Sequence, residues 1–417
     1  MKPIPSIILG GSMALLTAGA ALAGGEADTK EKKSEEKERS LCDWLTDSPG
    51  RLYDDKDSWF LNRVDIGGRF HYQAAYVGGK DINGRRFHDT YDEYRRVRLE
   101  TEVEFLRFLS LETNVNLVDD RRFSDSYPQD LDWGYDTFDT FALELDLDKA
   151  FDLEWLDKLE FVYGKMKLKM GEESHQSSRE ILTIERSAIS DKVGGNESRP
   201  TGGMLTVGKD DLELTLGMFS GEDDADLLGG WNDGRFYYGS LSWEPGDHWR
   251  LVYDHVFSSQ HGRDMALGYA WAGSLAAVYE DDAWGVLVNG IYGDNGGADH
   301  GNVQRRRQGD FWGGTVMPWY WIMEDRLQFV CAFQFQGADE VEGIRLDNRY
   351  VRARHDDPLI DVDNGRGDKS LTYYAGLNYY LCGNSAKIMG GVTHTRLDTR
   401  NGEVSALSYM VAYRMYF

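Results

Sequence analysis

Beyond its first two dozen residues, the sequence has no apolar run long enough to form a membrane-spanning helix. Its mean hydropathy is that of a soluble protein. A protein that crosses a bilayer with several helices is therefore not expected. A barrel that crosses with strands stays open, because such strands alternate apolar and polar residues and average to a low hydropathy.

Cysteine is also scarce. The three cysteines, Cys42, Cys331 and Cys382, are too few and too scattered for a disulfide scaffold or a zinc site. An oxidising compartment would permit a bridge between Cys42 and Cys382, and the sequence alone leaves that bridge open.

Basic residues are in deficit, since 46 Lys and Arg stand against 71 Asp and Glu for a net charge of -25. Nucleic acid is therefore not expected as a partner, because a phosphate backbone requires a basic surface. The nine histidines are dispersed, without a metal-ligand pair at helical spacing, and no nucleophile elbow is present. We therefore predict no enzyme, no metal site and no cofactor.

The start of the chain has the layout of a secretory signal peptide. Lys2 precedes an uncharged apolar stretch over residues 7–22, and the small residues Ala21 and Ala23 stand just before the expected cleavage point, which follows Ala23. A membrane anchor is the alternative reading, but the stretch is short for a bilayer span and no basic cluster follows it. We predict a cleaved signal peptide over residues 1–23, followed by a charged, disordered periplasmic tail over residues 24–60.

From Val64 onward, apolar and polar residues alternate with a period of two, the pattern of a strand with one apolar and one polar face. Sixteen segments show this alternation: 64–76, 97–105, 109–117, 141–147, 159–170, 205–207, 212–218, 236–243, 249–257, 265–279, 284–292, 311–319, 327–335, 371–381, 387–395 and 407–417. Most links between them alternate between short turns and long loops such as 119–137, 221–234, 293–309 and 337–370. We therefore predict an all-β, 16-stranded antiparallel transmembrane barrel over residues 61–417, with its long loops outside and its 53 aromatic residues forming girdles.

The last strand indicates the compartment. Leu407, Tyr409, Val411, Tyr413, Met415 and Phe417 form an apolar row at period two. This row resembles the carboxy-terminal signal that the barrel assembly machinery of an outer membrane reads. We predict an outer-membrane location, with lipid, lipopolysaccharide and that machinery as partners.

The alternation of apolar and polar residues is interrupted in the fifth segment. Leu159, Phe161 and Tyr163 are expected to face outward, and a regular strand would also turn Lys165, Lys167 and Lys169 outward. Lysines facing lipid near the midplane would cost about 2–4 kcal/mol each. A bulge at Gly164 would turn the three lysines into the lumen and move Met166, Leu168 and Met170 to the outside. Alternatively, the lysines lie near the headgroups.

Residues 171–203 form the third external loop by this strand count. Within it, residues 177–189 place Ile181, Leu182, Ile184 and Ile189 among charged residues, which predicts an amphipathic helix packed on the inner wall. We therefore expect this loop to fold inward.

Five short motifs in a common order carry a family resemblance. They are Tyr94-Arg95-Arg96-Val97-Arg98-Leu99, Gly164-Lys165-Met166-Lys167, Leu182-Thr183-Ile184-Glu185-Arg186-Ser187, Gly217-Met218-Phe219-Ser220-Gly221 and Gly376-Leu377-Asn378-Tyr379-Tyr380-Leu381. Together they resemble the phosphate-selective porin O and P family. The resemblance implies a trimeric 16-stranded channel with an inward third loop and lumen cations that attract anions, and it points to Arg96, Arg98, Lys165, Lys167, Glu185 and Arg186.

The leading hypothesis is a diffusion channel for small anionic solutes such as phosphate. The cations proposed to attract the solute are Arg69, Arg96, Arg98, Lys165, Lys167 and Lys169. Glu185 and Arg186 would belong to the constriction loop, or instead form an ion pair that fixes it. Glu100, Glu102 and Glu104 share the lumen face of the second strand and argue against phosphate selectivity. The alternatives are a structural barrel that anchors the envelope and an exporter of an anionic polysaccharide.

Overall fold

Sixteen antiparallel strands close into a barrel, as predicted. The computed structural model describes residues 40–46, 50–118, 123–124, 134, 136–194, 199–222, 225, 227, 230–232, 234–259, 265–346, 348–353 and 359–417. The expected signal peptide over residues 1–23 and the first part of the expected tail lie outside the described residues.

Each predicted strand corresponds to one strand of the barrel. These are β1 Leu61–Lys80, β2 Arg86–Phe105, β3 Leu109–Asn116, β4 Thr137–Asp146, β5 Lys158–Lys165, β6 Thr201–Lys209, β7 Leu212–Ser220, β8 Arg235–Trp243, β9 Trp249–Ser258, β10 Trp271–Glu280, β11 Trp284–Asp294, β12 Asp310–Met323, β13 Leu327–Ala338, β14 Lys369–Tyr380, β15 Ala386–Thr399 and β16 Gly402–Tyr416. Every strand pairs with its neighbours in order, and β16 pairs with β1, with Tyr416 opposite Arg69. This pairing closes the sheet.

Short elements complete the fold. The helices are α1 Leu41–Thr46, α2 Leu147–Phe151, α3 Glu172–His175, α4 Ala188–Gly194 and α5 Arg349–Ala353, with 3₁₀ turns at Ala298–His300, Arg305–Arg307 and Asp363–Gly365. Arg51–Asp54 pairs with the start of β1, Phe123–Ser124 with β2, and Ile344–Arg345 with Arg366–Gly367. Of the helices in the described part of the chain, none is long and apolar enough to cross a membrane.

The two faces of the wall differ in chemistry. Along β14, Leu371, Tyr373 and Leu377 are exposed on the outer face, and Thr372 and Tyr374 between them are buried inside. Aromatic side chains cluster where strands end. Tyr279 has its ring centroid 5.0 Å from that of Trp249 and 4.9 Å from that of Trp284. Such an outer face suits lipid, with aromatic rings at the level of the headgroups.

A disulfide joins Cys42 in α1 to Cys382 in the turn between β14 and β15, with an S–S distance of 2.01 Å. The bridge lies at the rim where Phe417 also lies, and Leu45 packs with Cys382 and Ala386 beside it. Cys331, on β13, is not bridged. The sequence left this bridge open, because 340 positions separate its two cysteines.

The apolar core lies inside the barrel. Leu168, Met170 and Ile184 are fully buried there against wall residues such as Phe219 and Phe311. The expectation that Met166, Leu168 and Met170 face outward is wrong, because β5 ends at Lys165 and the chain then turns into the lumen.

Gly164 permits this departure from the wall. Its φ is +147°, and a Cβ at this position would lie 2.2 Å from the carbonyl oxygen of Phe141 on the neighbouring strand. Only glycine fits such a close approach of two backbones. The break therefore occurs at the predicted residue, but its result is an inward turn and not a continued strand.

A second segment also enters the lumen. It consists of the described residues between β13 and β14, 339–346, 348–353 and 359–368, which fall in the expected external loop 337–370 and include the buried Ile344, Leu346, Tyr350 and Val351. We call this the second inward segment.

Candidate functional site

The loop that follows β5 crosses the lumen and binds the far wall. We call the described residues 166–194 and 199–200 the inward loop, and its inward course was predicted. Lys387 Nζ donates to the Ile181 carbonyl at 3.2 Å, and Asn378 Nδ2 donates to the Leu182 carbonyl at 2.9 Å. The Tyr416 hydroxyl donates to the Ser178 carbonyl at 2.7 Å. The loop is thus held by β14, β15 and β16, across the lumen from β5.

The expected amphipathic helix over residues 177–189 does not form, and the helix α4 starts only at Ala188. The carbonyls of Ser178, Ile181 and Leu182 accept hydrogen bonds from wall side chains. A helix would need those carbonyls for its own backbone. The apolar residues of this stretch are nevertheless buried, as expected.

A bulge in β2 turns two consecutive arginines toward the inward loop. Opposite His71 and Tyr72 of β1, the register jumps from Arg96 to Tyr94, which leaves Arg95 as the extra residue. Consequently Arg95 and Arg96 are both buried on the inner side, although adjacent strand residues normally face opposite ways. The tandem arginines in the sequence were the only signal of this bulge.

Glu185 connects the inward loop to β2. Arg95 Nε lies 2.9 Å from Glu185 Oε1, and Gln73 Nε2 donates to the same oxygen at 2.7 Å. Burial alone would raise the pKa of Glu185, but Arg95, Arg349 and Arg96 outweigh burial and hold that pKa well below its usual range.

Arg186 has other partners. Its Nη2 donates to the Gln176 carbonyl at 2.9 Å, and its Nε donates to the Glu173 carbonyl. Glu185 and Arg186 therefore do not form the ion pair that the sequence suggested as an alternative. Both residues fix the loop, but through different contacts.

The remaining predicted cations lie around this junction. Arg98 Nη1 and Arg199 Nη2 each lie 2.7 Å from an oxygen of Asp139, so that one carboxylate serves two guanidinium groups. Arg69 Nε lies 2.6 Å from Glu100 Oε1. Arg96 contacts His71 Nδ1 at 3.4 Å.

The three lysines occupy different environments. Lys165 is half-buried at the end of β5, and Lys169 is exposed. Lys167 Nζ donates to the Ser174 carbonyl at 2.8 Å. Burial, with Arg186 and Arg199 nearby, lowers the pKa of Lys167 well below its usual value. Lys167 and Lys169 therefore belong to the inward loop and not to the wall.

Carboxylates predominate toward the Phe417 rim. A cavity of about 530 Å³ there is lined by Glu100, Glu102, Glu112 and Glu144, together with Arg179. Glu102 stands directly opposite Glu112 across β2 and β3. The lumen is thus basic at the inward loop and acidic below it.

Sequence reasoning missed several residues of this site. Arg199, Asp139, Glu93 and Arg349 were not predicted, and Arg349 Nη2 lies 3.0 Å from Glu93 Oε2. Within the described ranges, no group of three or more His, Cys, Asp or Glu side chains could hold a metal ion.

Comparisons with known proteins agree with this architecture. Residues 64–252 match the family model described as phosphate-selective porin O and P. No curated protein matches the chain.

Solved structures show the same fold at low sequence identity. The outer membrane channel DcaP of Acinetobacter baumannii has a TM-score of 0.53 and 11% identity, with 87% of this chain and 100% of that chain covered. An anion-selective porin from Comamonas acidovorans has a TM-score of 0.54 and 10% identity, with 84% and 99% covered. OprB of Pseudomonas putida at high pH has a TM-score of 0.51 and 9% identity, with 84% and 94% covered. The protein thus has the fold of outer-membrane porins, and its residues 64–252 carry the sequence pattern of the phosphate-selective porin O and P family.

Proposed function

We propose that the protein is an outer-membrane diffusion channel that admits small anionic solutes such as phosphate past Arg69, Arg96, Arg98, Lys165, Lys167 and Lys169. The observation that carries the proposal is a surplus of cations at the inward loop. Arg98 and Arg199 both lie beside the carboxylate of Asp139. Arg96 and Lys167 have no ion pair with a carboxylate among the described residues. Such a surplus, surrounded by protein of low polarisability, attracts anions.

The acidic cavity below this cluster does not oppose the proposal, because selectivity is set where the path is narrowest. A solute in the wide cavity remains hydrated, and salt screens the carboxylates there. A solute beside Arg96 loses water and feels the guanidinium charge more strongly.

Conductance across planar bilayers, measured with the full chain in a salt gradient, tests the proposal. We expect stepwise currents and a reversal potential that favours anions. Arg96→Gln should reduce the anion preference several-fold, and the matched Arg396→Gln, on the outer face of β15, should not. A preference for cations would refute the anion-selective part, and absence of stepwise currents would refute the channel.

The assembly proposed with this function is a homotrimer, exported with cleavage after Ala23 and inserted through recognition of Phe417. A depression of about 670 Å³ on the outer wall supports a subunit contact, because small residues such as Ala74, Ala375 and Gly390 lie in it between Tyr76 and Tyr409. Lipid and lipopolysaccharide would cover the rest of the wall. A native mass measurement in mild detergent tests the trimer, and a monomer would contradict it.

A second candidate is a structural barrel that anchors the envelope. The observation that favours it is the dense packing of the lumen, where Ile184 and Val193 of the inward loop and Tyr350 of the second inward segment are buried. This candidate predicts no solute flux, and it predicts envelope defects when the protein is deleted.

A further inference from the structure

Five neighbouring strands of the inner wall, β11–β15, carry a row of neutral polar side chains. Successive members stand directly opposite each other on β11, β12, β13, β14 and β15, in the order Asn289, Thr315, Gln334, Thr372 and Thr395. We call these five residues the belt. All five face inward and are at most 5% exposed. With about 4.8 Å between neighbouring strands, the belt follows the inner wall for roughly 19 Å.

The inward neighbours of the belt are partly apolar and all buried. On the side toward the Phe417 rim, Leu287, Met317 and Ala332 are the next inward residues of β11, β12 and β13, whereas β15 has Thr393 there. On the other side lie Ile291 of β11 and Leu397 of β15, with the polar Gln336 and Ser370 between them on β13 and β14. Because these neighbours are buried, the belt does not belong to a generally hydrated surface.

Several belt atoms lack a hydrogen-bond partner within the described part of the chain. They are Asn289 Oδ1, Thr315 Oγ1 and Gln334 Oε1. Other groups of the belt are bonded: Asn289 Nδ2 donates to Ser274 Oγ at 2.8 Å, and the hydroxyls of Thr372 and Thr395 lie 3.3 Å apart. A buried acceptor without a donor is destabilising, because it has lost its hydrogen bond to water and gained none from the protein. Three such acceptors in one row indicate that the belt bonds to something besides protein.

A small cavity opens onto the belt at its middle. It measures about 30 Å³ and is lined by Gln334 and Thr372 of the belt, Tyr374 beside it, Thr183 of the inward loop and Tyr350 of α5. A space of this size holds about one water.

The free atoms restrict the chemistry of a ligand. Two are amide oxygens, which accept hydrogen bonds and cannot donate them, so an anion would gain little here. Glu185, Arg186 and Arg349 also line this cavity, and Arg349 lies 3.0 Å from Glu93 and 3.9 Å from Glu185. Charges of both signs therefore surround the cavity, and neither an anion nor a cation is clearly favoured. The remaining class is a neutral molecule that is rich in hydroxyl donors and has apolar C–H faces to place against Met317 and Ala332.

We propose that the belt is a hydrogen-bonding track for neutral polyhydroxylated solutes, such as a monosaccharide or a smaller polyol. The track lies on β11–β15, whereas Arg69, Arg96 and Arg98 lie on β1 and β2, so the two solute classes would use different parts of one inner wall. The proposal does not depend on anion permeation.

Access requires a local movement. The cavity is too small for a sugar ring, and the segment that covers it, α5, is fixed by the Tyr350 hydroxyl, which donates to Glu93 Oε1 at 2.6 Å. A sugar on the belt displaces α5 from this position, and the binding free energy is lowered by the cost of that displacement.

Titration calorimetry of the folded full chain in detergent, with D-glucose as the probe, tests the proposal. We expect saturable heat with the natural sequence and at least tenfold weaker binding in Gln334→Leu, because the belt loses its central acceptor. The matched control is Gln328→Leu, on the same strand and face, where the amide oxygen already accepts from Asn378 and Tyr380. This control should bind glucose like the natural sequence.

Thr315→Val, which keeps the side-chain shape, provides the same test if Gln334→Leu does not fold. Phosphate titrated into the same samples should give heat that neither belt variant changes, so that a failure of anion binding is seen separately. Absence of saturable glucose heat from the natural sequence, or full affinity in both belt variants, would overturn the proposal and leave ordered water as the only occupant of the belt.

Discussion

Gly164 determines where the chain leaves the wall, and substituting it tests that role. In Gly164→Ala, the new Cβ would overlap the Phe141 carbonyl, and φ of +147° would be strained. Strain of this kind costs about 1–3 kcal/mol before any overlap is counted. We expect a lower unfolding midpoint in urea and poorer folding. Gly290→Ala is the control, because nothing lies within 4 Å of its new Cβ. Equal midpoints for the two variants would show that Gly164 is not critical.

Glu185 should make the inward loop sensitive to acid. Its pKa is lowered in the folded protein, so its stabilising contribution is present above its ordinary pKa of 4.5 and is lost as the pH falls through the folded value. Protection of the loop against proteolysis should therefore decline below about pH 4.

Glu185→Gln should lack this acid-dependent component and be less protected already at pH 7. Leaving Arg95 buried without its carboxylate costs about 3–5 kcal/mol. Glu403→Gln, an exposed carboxylate paired with Arg396, is the control. An acid profile that is identical in Glu185→Gln and the natural sequence would contradict this role for Glu185.

Which individual residues face the lumen could be predicted from the alternation of side chains along a strand, as long as the strand is regular. The inward position of Arg69 follows from alternation with Phe70 and Tyr72. The inward positions of Arg96 and Arg98 follow from alternation with Val97 and Leu99. Arg95 could not be predicted this way, because a bulge depends on pairing with the neighbouring strand. Partners such as Asp139 for Arg98 are also decided by pairing between strands, which no local pattern contains.

At the scale of elements, the second inward segment offers a direct test of occlusion. Tyr350→Phe removes the hydrogen bond to Glu93 and so about 1 kcal/mol of the contact that holds α5. We expect more frequent or larger conductance steps in planar bilayers. Tyr373→Phe, on the outer face of β14, should behave like the natural sequence. Unchanged currents in Tyr350→Phe would mean that α5 does not limit the path.

The strands could be predicted from the sequence more completely than the course of the loops. All sixteen strands were found, because lipid outside and polar groups inside impose a period of two. The course of residues 166–170 was mistaken, since Met166, Leu168 and Met170 suit lipid and a buried core equally well. The apolar residues of the stretch 177–187 have the spacing of a helix, but side chains of the barrel wall donate hydrogen bonds to its carbonyl groups. The sequence pattern does not show this competition, because the donors lie on distant strands.

At the scale of the whole molecule, the disulfide adds a covalent connection across the barrel. Cys382→Ser should release α1 and make residues 40–50 sensitive to protease, with a loss of about 2–5 kcal/mol in stability. The sixteen-stranded ring should persist, because β1 and β16 pair without the bridge. Limited proteolysis with and without reductant measures the effect, and Cys331→Ser is the control. Equal protease sensitivity in both variants would mean that α1 is held by its other contacts.

The whole-molecule charge pattern was only partly foreseen. Glu100, Glu102 and Glu104 were correctly placed on the lumen face, beside the arginines of the same strand. These carboxylates lie nearer the Phe417 rim than the arginines do, and Glu112 and Glu144 lie beside them. This arrangement depends on the register of β2, β3 and β4. Residues far apart in sequence meet there, so composition could not reveal the change of sign.

The bridge between Cys42 and Cys382 also bears on the order of assembly. The hydrogen-bonded seam between β1 and β16 joins strands from the two ends of the barrel, and an open chain must bring those ends together at a considerable cost in entropy. A cross-link formed in an oxidising compartment holds the first strand near the last hairpin before the seam exists. Oxidation would then speed closure without being required for it, and cells that cannot form disulfides should form the same closed barrel more slowly.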